Sequence, residues 1–284
     1  MNRMIICALL LLVFNFCAEN KNIITSGNSI QFGTESTLDV ITWNIENFPK
    51  QNGSTVDYLA ELIPLLDVDI IAMQEIGDDD YFNQLVDQLN GWSGFRTGGS
   101  WGLAYIYKSE VVINRIEEIQ SLDNYNLTRT PLLMELQWGS ENVYIINNHY
   151  KCCGNGTIEI EYDDEEYRRL QSCILTKTYI ESNLDGKNVI LVGDLNDELS
   201  DPESTNVFIN FNNDAENYLF VDKNIAVGSS TNWSYPGWPS HLDHILITNE
   251  LFDEFANTES SVETIRVEGY FDNGWTDYEK YISD

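Results

Sequence analysis

The apolar residues of this chain fall in short unbroken runs, several of which stop abruptly at a carboxylate, an amide or an imidazole. Asn188-Val189-Ile190-Leu191-Val192-Gly193-Asp194-Leu195-Asn196 is the clearest case. An apolar run without polar alternation marks a strand covered on both faces. Asp194 and Asn196 stand two residues apart, so a strand sends both side chains to one face, and Gly193 admits a close approach just before them. Strands are predicted in the same way over 38–45, ending in Asn44-Ile45-Glu46-Asn47, and over 69–73, ending in Gln74-Glu75. Between them, Ser54 or Thr55 caps a helix to about Leu66, with Tyr58, Leu59, Leu62, Ile63 and Leu66 on one face. Asp78-Asp79-Asp80 starts a helix to about Leu89, and Asp163-Asp164-Glu165-Glu166 starts one to about Asn183; the helix dipole accounts for both acidic clusters. Four strand-like stretches, 102–108, 111–119, 131–138 and 142–148, predict an antiparallel meander, and further strands are expected over 242–248 and 262–267.

Helices interleaved with parallel-type strands, followed by a meander, predict a layered α/β fold: two mixed sheets face to face with helices outside, a four-layer α/β/β/α sandwich. A single doubly wound sheet is the alternative. No Pro/Gly/Ser-rich linker divides the chain, so residues 24–284 read as one domain, expected to be monomeric. Charge narrows the functions. Lys and Arg number 15 against 46 Asp and Glu, a formal net charge of -31, which argues against a basic-groove nucleic-acid binder. A phosphate-bearing substrate would need local cations or metal to be held. Arg3, the apolar run 5–16 and the polar Glu19-Asn20-Lys21-Asn22 read as an export signal within residues 1–23, too short to span a bilayer comfortably. Cys17 could be the lipidated N-terminus of a membrane-anchored lipoprotein; Phe14 and Phe16 suit that motif poorly, and plain secretion stands beside it. Export permits disulfides, and one bridge from Cys152 or Cys153 to Cys173 is expected.

The strand-end polar residues are Asn44, Glu75, His149, the Asp194/Asn196 pair, Asp243 and, at the end of the chain, Asp284. Several strands ending this way can converge on one rim. Oxygen ligands in a chain with 3 His suit Mg²⁺, Mn²⁺ or Ca²⁺ better than zinc.

Thr42-Trp43-Asn44-Ile45-Glu46, Ala72-Met73-Gln74-Glu75, Asn148-His149-Tyr150-Lys151, Gly193-Asp194-Leu195-Asn196 and His241-Leu242-Asp243-His244-Ile245-Leu246, in that order, resemble the motifs of the endonuclease/exonuclease/phosphatase superfamily, whose familiar member is deoxyribonuclease I. Gly102 to Lys108 and Arg129-Thr130-Pro131 resemble its middle strands. The resemblance covers nearly the whole mature chain and implies a deoxyribonuclease I-like fold. It also implies a metal-dependent phosphodiesterase using Mg²⁺, with Mn²⁺ or Ca²⁺ as alternatives. Carried over residue by residue, it makes Glu75 a metal ligand, with Asn44 beside the metal or a phosphate oxygen. Asp194 and Asn196 would orient the attacking water and hold the phosphoryl group, His149 would protonate or stabilise the leaving oxygen, and Asp243 would orient a second histidine. Arg129 would touch a phosphate, with a plain salt bridge as the alternative. The family closes with Ser-Asp-His-x-Pro, whereas this chain stops at Tyr281-Ile282-Ser283-Asp284. The expectation is therefore a fragment lacking its last strand and that histidine, with Asp284 near the metal. His244 reads as a half-buried strand residue, His241 as a loop residue near the site, and the aromatic loop 233–239 as packing beside it, with stacking on bases as the alternative.

The implied function is an exported endonuclease acting on DNA or RNA. A sphingomyelinase-like or inositol-phosphate phosphohydrolase, with a phospholipid or inositol phosphate as substrate, is the alternative of the same fold. A non-catalytic surface protein that kept the fold is the alternative of another class.

Overall fold

The computed structural model describes residues 6–8, 30–235 and 239–282. The first sheet takes β1 (Ile6–Ala8), β2 (Leu38–Phe48), β3 (Ile70–Ile76), β4 (Trp92–Arg96) and β5 (Gly102–Lys108), in the spatial order β1-β2-β3-β5-β4. The second takes β6 (Val112–Glu118), β7 (Leu132–Trp138), β8 (Glu141–His149), β9 (Asn188–Asp194), β10 (Tyr218–Phe220) and β11 (Asp243–Thr248), in the order β10-β11-β9-β8-β7-β6. Parallel pairing joins β1 to β2, β2 to β3 and β8 to β9; the other pairs are antiparallel.

Side chains alternate across each strand, and here both faces find apolar cover. From β2, Leu38 and Val40 enter a core shared with Leu132, Met134, Ile145, Val192 and Ile245 of the second sheet. Ile41, Trp43 and Ile45 turn the other way, onto Leu59, Leu62, Ile63 and Leu66 of α1 (Gly53–Leu66) and Phe82 and Leu85 of α2 (Asp79–Gln88). On the far side of the second sheet, Leu133, Ile146, Val189 and Leu191 meet Cys173 and Ile180 of α3 (Glu165–Asn183). These three clusters fill the spaces between four layers, the sandwich expected from the sequence. Each fully buried Leu or Ile contributes roughly 1.5–3 kcal/mol.

Helix starts follow local chemistry. Asp78 and Asp164 cap α2 and α3 by accepting from the backbone of Tyr81 at 3.0 Å and Tyr167 at 2.6 Å. At α1 the structure corrects the sequence reading. The cap is Asn52, with no side-chain bond, and Thr55 is buried inside the helix, where its hydroxyl donates to the Tyr281 carbonyl at 2.7 Å. That bond, with Trp43 Nε1 donating to the Tyr278 hydroxyl at 3.0 Å, ties the C-terminal helix Trp275–Tyr281 across α1 and β2.

Other expectations also change. Stretch 102–108 is β5 and pairs with β3 in the first sheet, so the meander has β6, β7 and β8 only. Residues 262–267 form no strand, although Val262, Ile265 and Val267 still pack into the cores as an irregular segment. The sequence reading missed β4, β10 and the C-terminal helix. The disulfide is absent among the described residues: Cys173 is buried in the third core cluster, while Cys152 and Cys153 are free and exposed. Ile6–Ala8 lies beside Leu38–Val40, and the rest of the expected leader, Cys17 included, lies outside the described residues, as does Asp284. No helix among the described residues is long and apolar enough to cross a membrane.

Candidate active site

The sheet register builds the site. His149 ends β8 opposite Asp194 of β9, and Asp194 is in turn opposite Asp243 of β11, so one rung of the second sheet carries an imidazole and two carboxylates side by side. Across the interface between the sheets, Asn44 of β2 donates through Nδ2 to Asp194 Oδ2 at 2.9 Å. Glu75 reaches the same spot by leaving its ladder. The β2–β3 register slips between Asn44 and Phe48, the β3–β5 register slips between Met73 and Ile76, and Glu75 takes a φ of 61°. Irregularities of this kind re-aim a side chain, and non-glycine residues in this region concentrate at functional sites. Asn47 and Asn196, with φ of 57° and 55°, share the property. Asn47 N donates to Glu75 Oε2 at 2.9 Å, and Asn196 N donates to Asp194 Oδ1 at 3.0 Å.

These residues line a cleft of about 710 Å³ together with Arg129, Trp101, Lys151, Cys152, Cys153 and Tyr235. His149 Nε2 lies 3.5 Å from Asp194 Oδ2 and 3.8 Å from Glu75 Oε1. Burial, followed by the charge of Arg129, holds the imidazole well below its ordinary pKa, which favours its neutral form. Its Nδ1 is buried without a partner among the described residues, and Nε2 faces the carboxylates. Burial pushes Asp194 up to about 6 and, joined by repulsion from Asp194, pushes Asp243 up to about 8. Two carboxylates on one rung cannot easily both be ionised. Arg129 donates through Nε to the Trp101 carbonyl at 3.2 Å and sits 5.3 Å from the centre of the Trp101 ring. The structure thus brings every predicted site residue except Asp284 into one cleft.

A hard divalent cation fits this donor set. Glu75 offers a carboxylate, and the buried Asn44 Oδ1 has no partner among the described residues. A buried acceptor without a donor is the kind of group that a cation or ordered water satisfies.

Sequence reasoning missed three supports. Ser234 Oγ accepts from the backbone of both Leu242 and Asp243, at 3.1 and 3.2 Å, and fixes the start of β11. In the aromatic loop, Trp233 Nε1 donates to Ile225 O at 3.1 Å and Tyr235 lines the cleft; residues 236–238 lie outside the described residues. Arg169, buried in α3, binds Asp197 at 2.7 Å and the Lys151 and Cys153 carbonyls at 2.8 and 2.7 Å, joining the loops after β8 and β9. The third support corrects one histidine expectation: His244, on β11, is fully rather than half buried, and His241, in the loop before β11 as expected, is buried with it, the two at 2.6 and 3.0 Å from Asp222 Oδ2. The three are close enough to consider as metal ligands. Every ring nitrogen is nevertheless engaged, since Ser234 N donates to His241 Nδ1 at 3.3 Å and His244 Nε2 meets the Asp197 carbonyl at 2.8 Å. The cluster is a hydrogen-bonded brace beneath the site. A three-residue cluster of Asp and His from separate segments leaves no periodic trace, and only the Asp243 motif pointed near it.

Residues 41–261 match the model of the Endonuclease/Exonuclease/phosphatase family. The chain belongs to this family. Its members are hydrolases of phosphodiester bonds that depend on divalent metal. Among solved structures, D. rerio TDP2 complexed with a single-strand DNA product matches with a TM-score of 0.57 at 15% identity over 74% of this chain and 82% of that one. The endonuclease/exonuclease/phosphatase protein of Bacteroides vulgatus matches at 0.55 and 13% identity, over 73% and 85%. The human Nocturnin catalytic domain with a bound sulfate anion matches at 0.54 and 18% identity, over 74% and 81%. At these identities the likeness establishes the fold. No curated protein sequence matches the chain.

Proposed function

We propose that this family member is an exported, divalent-metal-dependent phosphodiesterase whose substrate is nucleic acid. One observation carries the reading: the rung His149–Asp194–Asp243 faces Asn44 and Glu75 within a single cleft, with Arg129 at its wall. Glu75 and Asn44 Oδ1 would hold the metal, which when bound supplies neutralising charge for the non-bridging phosphate oxygens. Asp194, steadied by Asn44 and by the Asn196 backbone, is placed to orient the water and take its proton. Asn196, whose Nδ2 is fixed on the Tyr150 carbonyl at 3.3 Å, stands beside it to position a phosphoryl oxygen. His149, being neutral, acts as an N–H donor from Nε2 to the phosphoryl group. Asp243 contributes the buried, unpaired acceptor Oδ1 at the far end of the rung. Arg129 supplies a local cation in a chain whose overall charge of -31 repels polyanions. The DNA product on TDP2 and the sulfate on Nocturnin support an anionic phosphate ligand in this fold. The leader-like residues 1–23 support export.

The test is hydrolysis of a single-stranded DNA oligonucleotide, RNA, sphingomyelin and bis-nitrophenyl phosphate by the full chain, with Mg²⁺ and after chelation. Cleavage of nucleic acid that is lost on chelation, regained with Mg²⁺ and reduced at least about a hundredfold in Glu75→Gln is the expected result. Chelator-resistant cleavage would refute the metal assignment, and cleavage of sphingomyelin alone would replace nucleic acid by a lipid phosphodiester. Failure on all four substrates would favour a surface protein that kept the fold.

A further inference from the structure

The loop after β8 carries two adjacent cysteines that the proposed hydrolysis does not use. Cys152 and Cys153 are both free, exposed and on the cleft wall. Their sulfurs are 2.8 Å apart, with the Cys153 thiol donating to Cys152 Sγ. This is closer than two sulfurs in ordinary contact and wider than the roughly 2.05 Å of a disulfide.

The backbone holds the pair in that position. Cys153 has a φ of 73°, unusual for a residue with a side chain. The carbonyls on either side of the cysteine dipeptide, of Lys151 and Cys153, are both bound by the one Arg169 guanidinium. Arg169 is itself buried between Asp197 and Glu166, at 2.7 and 3.6 Å, and the Glu166 carboxylate also accepts from Gly156 N farther along the loop. Two side chains on a pinned dipeptide lose little freedom on bonding, so the reacting groups are already near each other.

We propose that Cys152 and Cys153 form a reversible vicinal disulfide at the cleft rim, made by exchange with a low-molecular-weight disulfide. The Cys152 sulfur, as thiolate, attacks one sulfur of the small disulfide; the S–S bond of that molecule breaks, one small thiol leaves, and a mixed disulfide stands on Cys152. Cys153, its proton passing to solvent, then attacks Cys152 Sγ, and the second small thiol leaves. The two protein thiols lose two electrons, and the small disulfide gains them. Roles follow from the contact: Cys152 accepts the hydrogen bond and has Lys151 Nζ at 3.9 Å as a counter-charge, so it attacks, while Cys153 resolves. The closed ring spans neighbouring residues and is strained, which makes it readily reduced again. Cys173 takes no part: it is fully buried, and burial holds its thiol far above the usual range. The inference stands whether or not the chain hydrolyses phosphodiesters.

The test treats the folded full chain with oxidised glutathione, alkylates free thiols, and maps the tryptic peptides by mass. The expected wild-type product is a peptide bearing both cysteines, unalkylated, lighter by two hydrogens than the dithiol and free of glutathione; dithiothreitol restores two alkylatable thiols. Cys153→Ser is expected to accumulate a glutathione adduct on Cys152, because the resolving thiol is gone. The proposal is overturned if wild type keeps two alkylatable thiols at these positions, carries stable glutathione on either, or bridges one of them to Cys173. Retention of glutathione by Cys152→Ser but not by Cys153→Ser would overturn the assigned roles.

Discussion

At the level of single residues, the site combines groups whose surroundings set what they can do. Burial pushes the His149 imidazole below its ordinary pKa, and on the proposed reading its contribution is a directed N–H. Glutamine keeps a donor of similar reach and alanine does not. His149→Gln is therefore expected to lose about tenfold in kcat and His149→Ala on the order of a hundred- to a thousandfold, read from initial rates on the DNA oligonucleotide. Equal losses in both would mean that the imidazole moves a proton after all. Gly193, just before Asp194, meets a different demand. A Cβ there would overlap the Asn148 carbonyl group on the neighbouring strand. Gly193→Ala is expected to destabilise the fold by about 2–3 kcal/mol in chemical denaturation, and a change within 0.5 kcal/mol would contradict the packing seen here. Residues of this kind were legible in the sequence because each stands at the end of an apolar run. Arg169, Ser234 and Asp222 were not, because their importance lies in contacts between distant segments.

At the level of elements, the strands that read as unbroken apolar runs were found correctly because burial on both faces suppresses polar alternation. Strand β4, at an outer edge and only half buried, has no such signature. Stretch 262–267 has apolar residues enough for a strand, but they serve to plug core positions from an irregular backbone. The β10–β11 pair is tied by the buried Asp222, which also accepts from Ile245 N at 3.0 Å. Burial alone would raise Asp222 and lower His244, and their mutual attraction reverses both: Asp222 is held below the usual carboxylate range and His244 above the usual imidazole range. The Asp222 contribution is present above its unfolded pKa of about 3.9 and is lost as pH falls below it; the His244 contribution is present below about 6.5 and is lost as pH rises through the higher folded value. Stability from this pair is thus greatest between those limits. Denaturation midpoints recorded across pH should fall on both sides in wild type and flatten in Asp222→Asn; an unchanged profile in the variant would show that the brace does not govern it.

For the whole molecule, net charge and fold pull in opposite directions. A charge of -31 repels a polyanion, and the cleft offers Arg129, Lys151 and Arg168 to offset this only locally. At fixed Mg²⁺, raising ionic strength from about 0.01 M to 0.15 M shortens the screening length from about 30 to 8 Å, so long-range repulsion fades faster than the cleft contacts do. The kcat/KM on a DNA oligonucleotide is expected to rise a few-fold over that range while that on bis-nitrophenyl phosphate changes little; a steep fall would reveal a cationic track that the structure does not display. The family and the four-layer architecture were legible because five ordered motifs and the sheet-forming runs agree with one another. The shared rung has a consequence for how such an enzyme can diversify. His149, Asp194 and Asp243 stand on adjacent strands, so their spacing is the inter-strand distance of roughly 4.8 Å, a quantity that backbone hydrogen bonds set and side-chain exchange cannot retune. Loops around the cleft are free to change what is admitted, whereas the spacing of the groups that meet it is written in the pitch of the sheet.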